Sequence, residues 1–281
     1  MNILITGGTG TLGHGLVERL LSDDKNGLSR ICILSRSEKD QAAMARKFAS
    51  DKLRFFIGDV RSYRRVYRAM RGIEVVIHAA ALKRIETCLY NPDECYETNV
   101  EGSRNVLEAA TDRGVKKVVL ISTDKAFDPL NENPYGLSKA MAERLFCSWD
   151  ATRGSSGPMC SGVRYGNVWC SAGSVVPEWR AVIAGGGVPY VTEPECTRFF
   201  MLLSEAVDFV LGALKEMRGG EIFVPNLPAY RLGDLFKAMT GFEAYAKTGL
   251  PSHEKLHESM EKGNCSKDAR RMSIEEIRGH L

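Results

Sequence analysis

The sequence predicts an α/β fold: a doubly wound parallel sheet with a smaller C-terminal lobe. Short apolar runs alternate with helix-like stretches from residue 2 to residue 149, which is typical of a parallel sheet covered by helices on both faces. A glycine-rich turn joins the first strand to the first helix, and the alternation loosens after residue 168. We therefore predict a sheet domain in residues 1–168, joined by residues 204–226, and a smaller lobe in residues 169–203 and 227–281.

The composition is that of a soluble globular protein. Of the 281 residues, 44% are hydrophobic and 26% are charged, with a net charge of +3, so neither nucleic acid nor a membrane is an expected partner. No apolar run reaches the ~18 residues that span a bilayer, and the chain enters a strand without a charged leader. The eight cysteines form no CxxC pair. Reduced thiols and a cytoplasmic location are therefore expected.

The first strand and the turn after it predict a dinucleotide site. Asn2-Ile3-Leu4-Ile5 is followed by the turn TGGTGTLG at residues 6–13 and by an amphipathic helix. Glycines let the backbone of such a turn approach a pyrophosphate, which faces the amino end of the helix. A plain turn is the alternative, but the strand before it and the helix after it favour the site. The predicted contacts are Gly7, Thr9, Gly10, Thr11, Leu12 and Gly13.

The end of the second strand, which is predicted over residues 31–34, indicates which dinucleotide binds. An NAD site normally has Asp or Glu here, which accepts hydrogen bonds from the ribose hydroxyls. This chain has Ser35-Arg36-Ser37, and an arginine suits the 2′-phosphate of NADP. We therefore predict that these three residues bind NADP, with NAD less favoured. The alternative is that Arg36 is a solvated arginine close to Glu38.

Two further strands complete the predicted cofactor site. Residues 53–57 form the third, and Asp59 after it is placed to meet an adenine amino group or to cap a helix that begins near Arg61. Residues 74–81 form the fourth, which runs into small side chains. His78 in this run is interpreted as a packed core histidine rather than a catalyst. The remaining predicted cofactor contacts are Val60, Ala79, Ala80, Tyr135 and Lys139.

The fifth strand leads into the predicted chemistry. A helix is predicted from about Pro92 to Arg113, with Asn99 tying it to a strand, and Lys117–Ile121 then forms a buried strand. A hydroxyl, an acid and an amine follow this strand, and a tyrosine and a lysine come four residues apart on one helix face. Ligands bind beyond the carboxyl ends of such strands. The predicted catalytic residues are Thr123, Asp124, Lys125, Tyr135 and Lys139.

Beside a nicotinamide, each of these groups has a chemical role. Tyr135 can deprotonate a sugar hydroxyl, because a nearby ammonium such as Lys139 lowers the pKa of a phenol from about 10. Thr123 can hydrogen-bond the same oxygen. Once a carbonyl has formed, the adjacent C–H is acidic, and Asp124 and Lys125 can eliminate water. We expect partial burial to lower the pKa of Lys125 and so make it a base.

The later sequence predicts fewer regular elements. After a turn-rich break at residues 151–158, a sixth strand is predicted over Met159–Val168. A helix at Ser204–Met217 and a strand at Glu221–Val224 then return to the main sheet. The run HEKLH at residues 253–257 matches the zinc-protease motif HExxH. It has no clear third ligand downstream, so no metal is predicted.

The motifs resemble those of the extended short-chain dehydrogenase/reductases, which have a Rossmann fold. TGGTGTLG and the Tyr135-x-x-x-Lys139 pair carry this resemblance. The chain is also similar to a narrower group, the inverting UDP-N-acetylglucosamine 4,6-dehydratases of pseudaminic acid synthesis, in the polysaccharide biosynthesis protein family. The Thr-Asp-Lys at 123–125 is the most specific feature, because retaining nucleotide-sugar dehydratases usually have Thr-Asp-Glu there. The other similar segments are NPYGLSK (133–139), RYGNV (164–168), GSVVP (173–177), TRF (197–199), GGEIFVP (219–225) and EKLHE (254–258).

The resemblance implies a mechanism with tightly bound NADP that is regenerated in each turnover. Tyr135, with Lys139 and Thr123, would deprotonate O4 as hydride leaves C4. Lys125 would remove the C5 proton, Asp124 would protonate the departing C6 hydroxyl, and hydride would return to C6 with inversion at C5. The expected contacts of the UDP-sugar are Lys83, Asn167, Arg198 and Glu254. We also expect a homo-oligomer.

Three alternatives remain open from the sequence. A nucleotide-sugar C4 epimerase and a dehydratase that retains C5 would use the same cofactor site. A non-catalytic NADP-binding sensor belongs to another class, although the intact Tyr135 and Lys139 argue against it. The family commonly has Arg-Pro-Gly-Glu-Lys where residues 250–255 are LPSHEK, so an arginine that contacts the nucleotide is missing here.

Overall fold

The computed structural model describes residues 1–23, 27–154 and 157–281, so part of the turn-rich break at residues 151–158 lies outside the described residues. Its strands are β1 (Asn2–Thr6), β2 (Arg30–Ser35), β3 (Leu53–Ile57), β4 (Val75–His78), β5 (Lys117–Thr123), β6 (Met159–Tyr165), β7 (Asn167–Val168), β8 (Thr197–Met201), β9 (Ile222–Phe223), β10 (Ala229–Arg231), β11 (Ser259–Glu261) and β12 (Asn264–Cys265).

The helices alternate with the strands of the main sheet. They are α1 (Thr11–Ser22), α2 (Glu38–Phe48), α3 (Tyr63–Ala69), α4 (Ile85–Tyr90), α5 (Pro92–Tyr96), α6 (Gly102–Arg113), α7 (Pro134–Thr152), α8 (Val175–Ala184), α9 (Leu203–Glu216), α10 (Leu232–Thr240) and α11 (Ile274–Gly279). Among the described residues, no helix combines the length and the apolar character needed to cross a bilayer.

The main sheet confirms the predicted doubly wound architecture. In the described residues it has seven parallel strands in the order β3-β2-β1-β4-β5-β6-β9. The direction of winding reverses between β1 and β4, which pair in parallel with Ile3 opposite Val75. The carboxyl ends of strands at such a reversal border a crevice in which ligands bind.

Alternate residues of the strands supply the two apolar layers. Ile3 and Ile5 face one side of the sheet, where they join a buried cluster with Val207 on α9. Leu4 faces the other side, in a cluster with Phe146 on α7. Because both faces are covered by helices, the strands are nearly continuous apolar runs, which is why the sequence indicated them clearly.

The predicted sixth strand is wrong in its last residues. The main-sheet strand ends at Tyr165, and Asn167 and Val168 pair instead with β8 in a small sheet ordered β10-β8-β7. The change occurs at Gly166, where a Cβ atom would lie 2.4 Å from the Cβ of Phe199. The chain therefore leaves the main sheet where close packing against β8 requires a glycine.

The helix predicted from Pro92 to Arg113 contains a π-helical turn at Glu97–Glu101 between α5 and α6. Asn99 lies in this turn. Its Nδ2 donates to the carbonyl of Leu82 at 2.9 Å, and its Oδ1 accepts from the N–H of Leu82 at 2.8 Å. The π-helical turn thus lets Asn99 hold the segment that follows β4, beside the crevice.

His78 is buried in the core, as the sequence predicts. Its Nδ1 lies 2.7 Å from the Thr6 hydroxyl and its Nε2 3.1 Å from that of Ser103, and its ring stacks on Phe146. Burial, helped by the positive charge of Lys139, lowers the pKa of His78 to about 3.

This histidine makes stability depend on pH. Because the folded pKa lies below the unfolded value, its contribution is present above about pH 6.5 and is lost as the pH falls towards 3. Between pH 7 and pH 5 we expect the loss to be about 2 kcal/mol. Urea titrations at both pH values should show a smaller decrease in the unfolding free energy for His78→Gln than for wild type. Equal decreases would contradict this assignment.

Candidate active site

A cavity of about 830 Å³ opens at the carboxyl ends of the main-sheet strands. It brings together the side chains predicted to bind cofactor, to bind substrate and to catalyse the reaction. The residues from the sequence prediction that line it are Gly7, Thr9, Gly10, Thr11, Leu12, Gly13, Ser35, Arg36, Ser37, Asp59, Val60, Ala79, Ala80, Lys83, Thr123, Asp124, Lys125, Tyr135, Lys139, Asn167, Arg198 and Glu254.

The glycine turn forms a cradle that only glycine permits. Gly7 has a φ of +65°, and a Cβ atom there would lie 2.7 Å from the backbone of Ala80 at the end of β4. A Cβ on Gly13 would lie 2.1 Å from the carbonyl oxygen of Gly8, so α1 could not pack so closely on the turn. Gly10 is the N-cap of α1, whose amino end therefore faces the cavity. This arrangement fits a pyrophosphate.

The residues at the ends of β2 and β3, which the sequence predicts to contact the adenosine of a dinucleotide, line one part of the cavity. The hydroxyl of Ser37 accepts from the N–H of Asp40 and caps α2. The hydroxyl of Ser35 accepts from Gln41 at 3.0 Å. Arg36, between the two serines, is exposed at the rim of the cavity. Its guanidinium is therefore accessible to an anionic group on a ligand.

Asp59 does not cap the next helix. The N-cap of α3 is Ser62, and the two carboxylate oxygens of Asp59 accept instead from the backbone N–H and the guanidinium of Arg61, at 2.9 and 3.0 Å. Burial opposes ionisation of Asp59, but the hydrogen bonds from Arg61 prevail and lower its pKa. Its charged carboxylate lines the cavity, where an amino group could bind.

One oxygen of Asp124 organises the end of β5. Oδ1 accepts from the hydroxyl of Thr123 at 2.8 Å, from the backbone N–H of Lys125 at 2.9 Å and from the Lys125 ammonium at 3.2 Å. The other oxygen, Oδ2, is buried and has no partner among the described residues. A second carboxylate, Glu258, lies 3.5 Å from the Lys125 Nζ.

The predicted direction of the Lys125 pKa shift is wrong. Burial alone would lower this pKa, but the charges of Asp124 and Glu258 outweigh it and raise the pKa above its ordinary value. The neighbouring Asp124 was evident from the sequence, whereas Glu258 reaches the site from a distant segment. Lys125 is therefore an ammonium held by two carboxylates.

Helix α7 places Tyr135 and Lys139 beside this cluster. Asn133 caps it by accepting from the N–H of Gly136 at 3.0 Å. Gly136 lets the helix approach closely, since a Cβ there would lie 2.6 Å from the carbonyl oxygen of Lys125. The first turn of α7 thus rests directly on the turn that holds the acid and the amine.

The surroundings of the Tyr135 phenol do not lower its pKa. Burial raises the pKa of Tyr135 to about 12, although the Lys125 charge and a hydrogen bond with Thr123 oppose this. Burial also lowers the pKa of Lys139 to about 8, and its Nζ donates to the carbonyl of Ile121 at 2.6 Å. The ammonium that acts on the phenol here is Lys125, not Lys139 as predicted.

The four predicted substrate contacts all line the cavity. The Arg198 guanidinium donates to Glu254 at 3.0 Å. Lys83 donates to the carbonyl of Ala172 at 2.7 Å. The side-chain oxygen of Asn167 is buried and has no partner among the described residues. A ligand could therefore donate a hydrogen bond to the Asn167 oxygen. It could also bind Arg198 and Lys83 in exchange for their present hydrogen bonds.

Sequence reasoning missed several residues that shape this site. Glu143 accepts from Ser122 and from Arg164, with the Nε of Arg164 at 2.9 Å. Tyr230 and Glu258 also line the cavity. The only signal for Glu143 was its position one turn beyond Lys139, on the same face of α7. Residues 253–257, the HExxH match, form turns and an isolated bridge rather than a helix.

Comparison with known proteins places this geometry in a family. The family model "Polysaccharide biosynthesis protein" matches residues 3–277. The UDP-N-acetylglucosamine 4,6-dehydratase (inverting) of Campylobacter jejuni is 42% identical over 260 residues, 92% of this chain and 77% of that protein. A protein of Rickettsia akari named UDP-glucose 4-epimerase is 44% identical over 238 residues, 84% of this chain and 69% of that protein.

A solved structure agrees with these relatives. The X-ray structure of Pen from Bacillus thuringiensis superposes with a TM-score of 0.93 at 33% identity, and the match covers 99% of this chain and 95% of that chain. The match of the family model to nearly the whole chain, with two relatives above 40% identity, settles the family. The chain belongs to the polysaccharide biosynthesis protein family.

Proposed function

We propose that this protein is an NADP-dependent UDP-N-acetylglucosamine 4,6-dehydratase that inverts C5, a carbon–oxygen lyase. The observation that carries the proposal is the buried Asp124–Lys125 pair beside Tyr135. Hydride exchange at C4 alone requires only a base for the O4 proton. An acid and an amine 3.2 Å apart at the same site supply the two proton transfers that elimination of water needs in addition.

The names of the relatives support more than one activity. The Campylobacter jejuni protein is named a dehydratase and the Rickettsia akari protein an epimerase, at 42% and 44% identity. A C4 epimerase moves hydride away from C4 and back, and no proton leaves C5. The Asp124–Lys125 pair has no role in that reaction, so the site favours the dehydratase.

The glycine cradle, Arg36 and Asp59 fit a dinucleotide, and Tyr135 and Lys139 would lie at its nicotinamide end. When bound, the nicotinamide supplies the hydride acceptor for C4 and the hydride donor for C6. Tyr135 takes the proton of O4, and Thr123 hydrogen-bonds to the same oxygen. Because burial raises the pKa of Tyr135 to about 12, the phenol becomes a base only once positive charge and substrate are in place.

The acid–amine pair then carries out the elimination. Proton transfer from the Lys125 ammonium to Asp124 gives a neutral amine beside a protonated carboxyl without changing the net charge of the pair. Exclusion of water by the bound sugar favours this neutral form. Lys125 removes the proton of C5, and Asp124 gives its proton to the C6 hydroxyl, which leaves as water. Return of a proton to the opposite face of C5 gives the L-sugar.

The UDP moiety is held by Arg198 and Glu254. Arg198 provides a bidentate cation for the diphosphate, and in doing so it exchanges its bond to Glu254 for bonds to phosphate. Glu254, once released, can accept from the ribose hydroxyls. Lys83 and Asn167 are proposed to orient the sugar, the latter through its unpaired oxygen.

The preference for NADP is tested at Arg36. In Arg36→Ala we expect the affinity for NADP to fall about tenfold to a hundredfold, because a charge-assisted hydrogen bond to phosphate is worth about 1.5–3 kcal/mol. The affinity for NAD should change little. Calorimetric titration of nucleotide-free protein measures both. Arg30→Ala is the matched control, because Arg30 is exposed at the other end of β2. Equal losses for the two nucleotides would contradict the assignment.

The reaction itself is tested by incubating the protein with UDP-N-acetylglucosamine. We expect a product lighter by one water, with NMR couplings that show a 4-keto-6-deoxy sugar inverted at C5. A product of unchanged mass with inverted C4 would show the epimerase instead. A dehydrated product with C5 retained would refute only the inversion.

A further inference from the structure

Glu258 is a buried carboxylate to which the proposed mechanism gives no role. It precedes β11 and lines the active-site cavity. Its side chain is only 3% exposed, and Oε1 lies 3.5 Å from the Nζ of Lys125. Oε2 has no hydrogen-bond partner among the described residues. A buried charged carboxylate is costly unless it is paired, and its ion pair is with Lys125.

Hydrogen bonds to Ser266 fix the backbone of Glu258, although this segment lies outside the main sheet. Its N–H donates to the hydroxyl of Ser266 at 2.9 Å, and its carbonyl accepts from the Ser266 N–H at 2.7 Å. The Ser266 hydroxyl in turn lies 2.6 Å from that of Thr197 on β8. Thr197 also donates its N–H to Leu256 at 3.0 Å. Two other segments of the chain therefore fix the backbone from which this carboxylate reaches the amine.

The two carboxylates around Lys125 are not equivalent. Asp124 Oδ1 accepts three hydrogen bonds, from Thr123 and from the backbone and side chain of Lys125. Among the described residues, the Glu258 side chain makes only the longer contact with the ammonium. These hydrogen bonds hold Asp124 at the carboxyl end of β5, and Asp124 is the acid of the proposed mechanism. Glu258 faces the same amine and adds a second negative charge.

We infer that Glu258 is a positioning residue for Lys125, which holds the amine from the segment before β11 and sets the pH at which it becomes a base. This inference rests on the proposed dehydratase reaction and adds a residue to it. In the step concerned, the C5–H bond breaks and an N–H bond forms on Lys125. The electron pair enters the enolate of the C4 ketone, and the C6–O bond then breaks as Asp124 supplies the proton of the departing water.

The pH dependence follows from the charges around the amine. The titratable groups that face Lys125 are Asp124, Tyr135, Arg198, Tyr230 and Glu258. Asp124 and Glu258 raise the pKa of Lys125, whereas burial and Arg198 lower it. Removal of one carboxylate destabilises the ammonium relative to the neutral amine. Loss of this negative charge also lowers the pH at which the Lys125–Asp124 pair takes up a further proton, so the acidic limb of the rate profile moves to lower pH.

The test compares Glu258→Gln with wild type in the dehydration of UDP-N-acetylglucosamine. We expect kcat to fall about tenfold or more with KM changed less than about threefold. The acidic limb of kcat should move down by roughly one pH unit or more, given a charge about 3.5 Å away. Glu258→Asp keeps the charge at a longer distance, and it should show a smaller shift in the same direction. Glu261→Gln, an exposed position on β11, should match wild type.

The outcomes separate this inference from the proposed function. If wild type releases water but Glu258→Gln keeps its kcat and pH profile, the inference is overturned and the function stands. A loss of kcat with the acidic limb unmoved shows a merely structural role and also overturns it. If Glu258→Gln does not fold, Glu258→Asp decides by its intermediate shift or its absence. If wild type releases no water, both proposals are overturned.

Discussion

Lys125→Met should abolish loss of water, while oxidation at C4 continues at a lower rate because the positive charge that favours ionisation of Tyr135 is lost. The amine is the proposed base for C5, and general-base catalysis of this kind contributes a factor of about 10²–10⁴, so we expect dehydration to slow about a thousandfold. The side chain is mostly buried between two carboxylates, and methionine keeps its length without its charge. Mixing with UDP-N-acetylglucosamine should therefore build up the absorbance of reduced nicotinamide, which wild type should consume.

The control for this substitution is Lys116→Met. Lys116 is 73% exposed and pairs with Glu74 at the amino end of β5, so its loss should leave the reaction unchanged. If Lys125→Met released water at the wild-type rate, the elimination mechanism would fail. Normal interconversion of C4 epimers by this variant would favour the epimerase, because that reaction moves no proton at C5.

Tyr135→Phe should stop the reaction one step earlier. Without the phenol, O4 keeps its proton and hydride transfer from C4 cannot proceed, so neither dehydrated product nor reduced nicotinamide should form. A decrease in kcat of about a thousandfold or more is expected. Burial raises the pKa of Tyr135 to about 12, so the phenol is neutral and the substitution removes a hydroxyl but no charge. The melting temperature should change little.

Tyr67→Phe is the matched control for the phenol. Tyr67 lies on α3, far from the cavity, with the Arg113 guanidinium 3.6 Å from its ring centre. That variant should keep the wild-type rate. Rapid reduction of the nicotinamide by Tyr135→Phe would show that another group deprotonates O4, and Tyr135 would then lose its assigned role. Together with Lys125→Met, this variant separates oxidation from elimination.

Much of the fold followed from local patterns in the sequence. The inner main-sheet strands are buried on both faces, so each appeared as an apolar run, and the predicted strand at residues 53–57 coincides with the partly exposed edge strand β3. The glycine turn was recognisable because the backbone atoms that exclude a Cβ at Gly7 and Gly13 lie within a few residues of the ends of β4 and β1. The end of the sixth strand was not, since the break at Gly166 depends on Phe199, which is adjacent only in the folded chain.

The active site was predictable in its members but not in its electrostatics. Asp124 and Lys125 are consecutive, so their proximity was evident, and the four-residue spacing of Tyr135 and Lys139 required only a helix. The pKa of Lys125 depends also on Glu258, which lies far from Lys125 in the sequence and whose backbone is held by hydrogen bonds with Ser266. Sequence motifs indicate the roles of residues, whereas the protonation state of a residue such as Lys125 depends on charges that tertiary structure brings together.

The measurement that tests the central claim most directly uses UDP-N-acetylglucosamine with deuterium at C4. The proposed reaction moves that deuteride from C4 to C6 within one active site, so the product should lack one water and carry deuterium in its new methyl group. NMR and mass spectrometry of a single sample show both. Deuterium that remains at C4, in a product of unchanged mass and inverted configuration, would contradict the dehydratase.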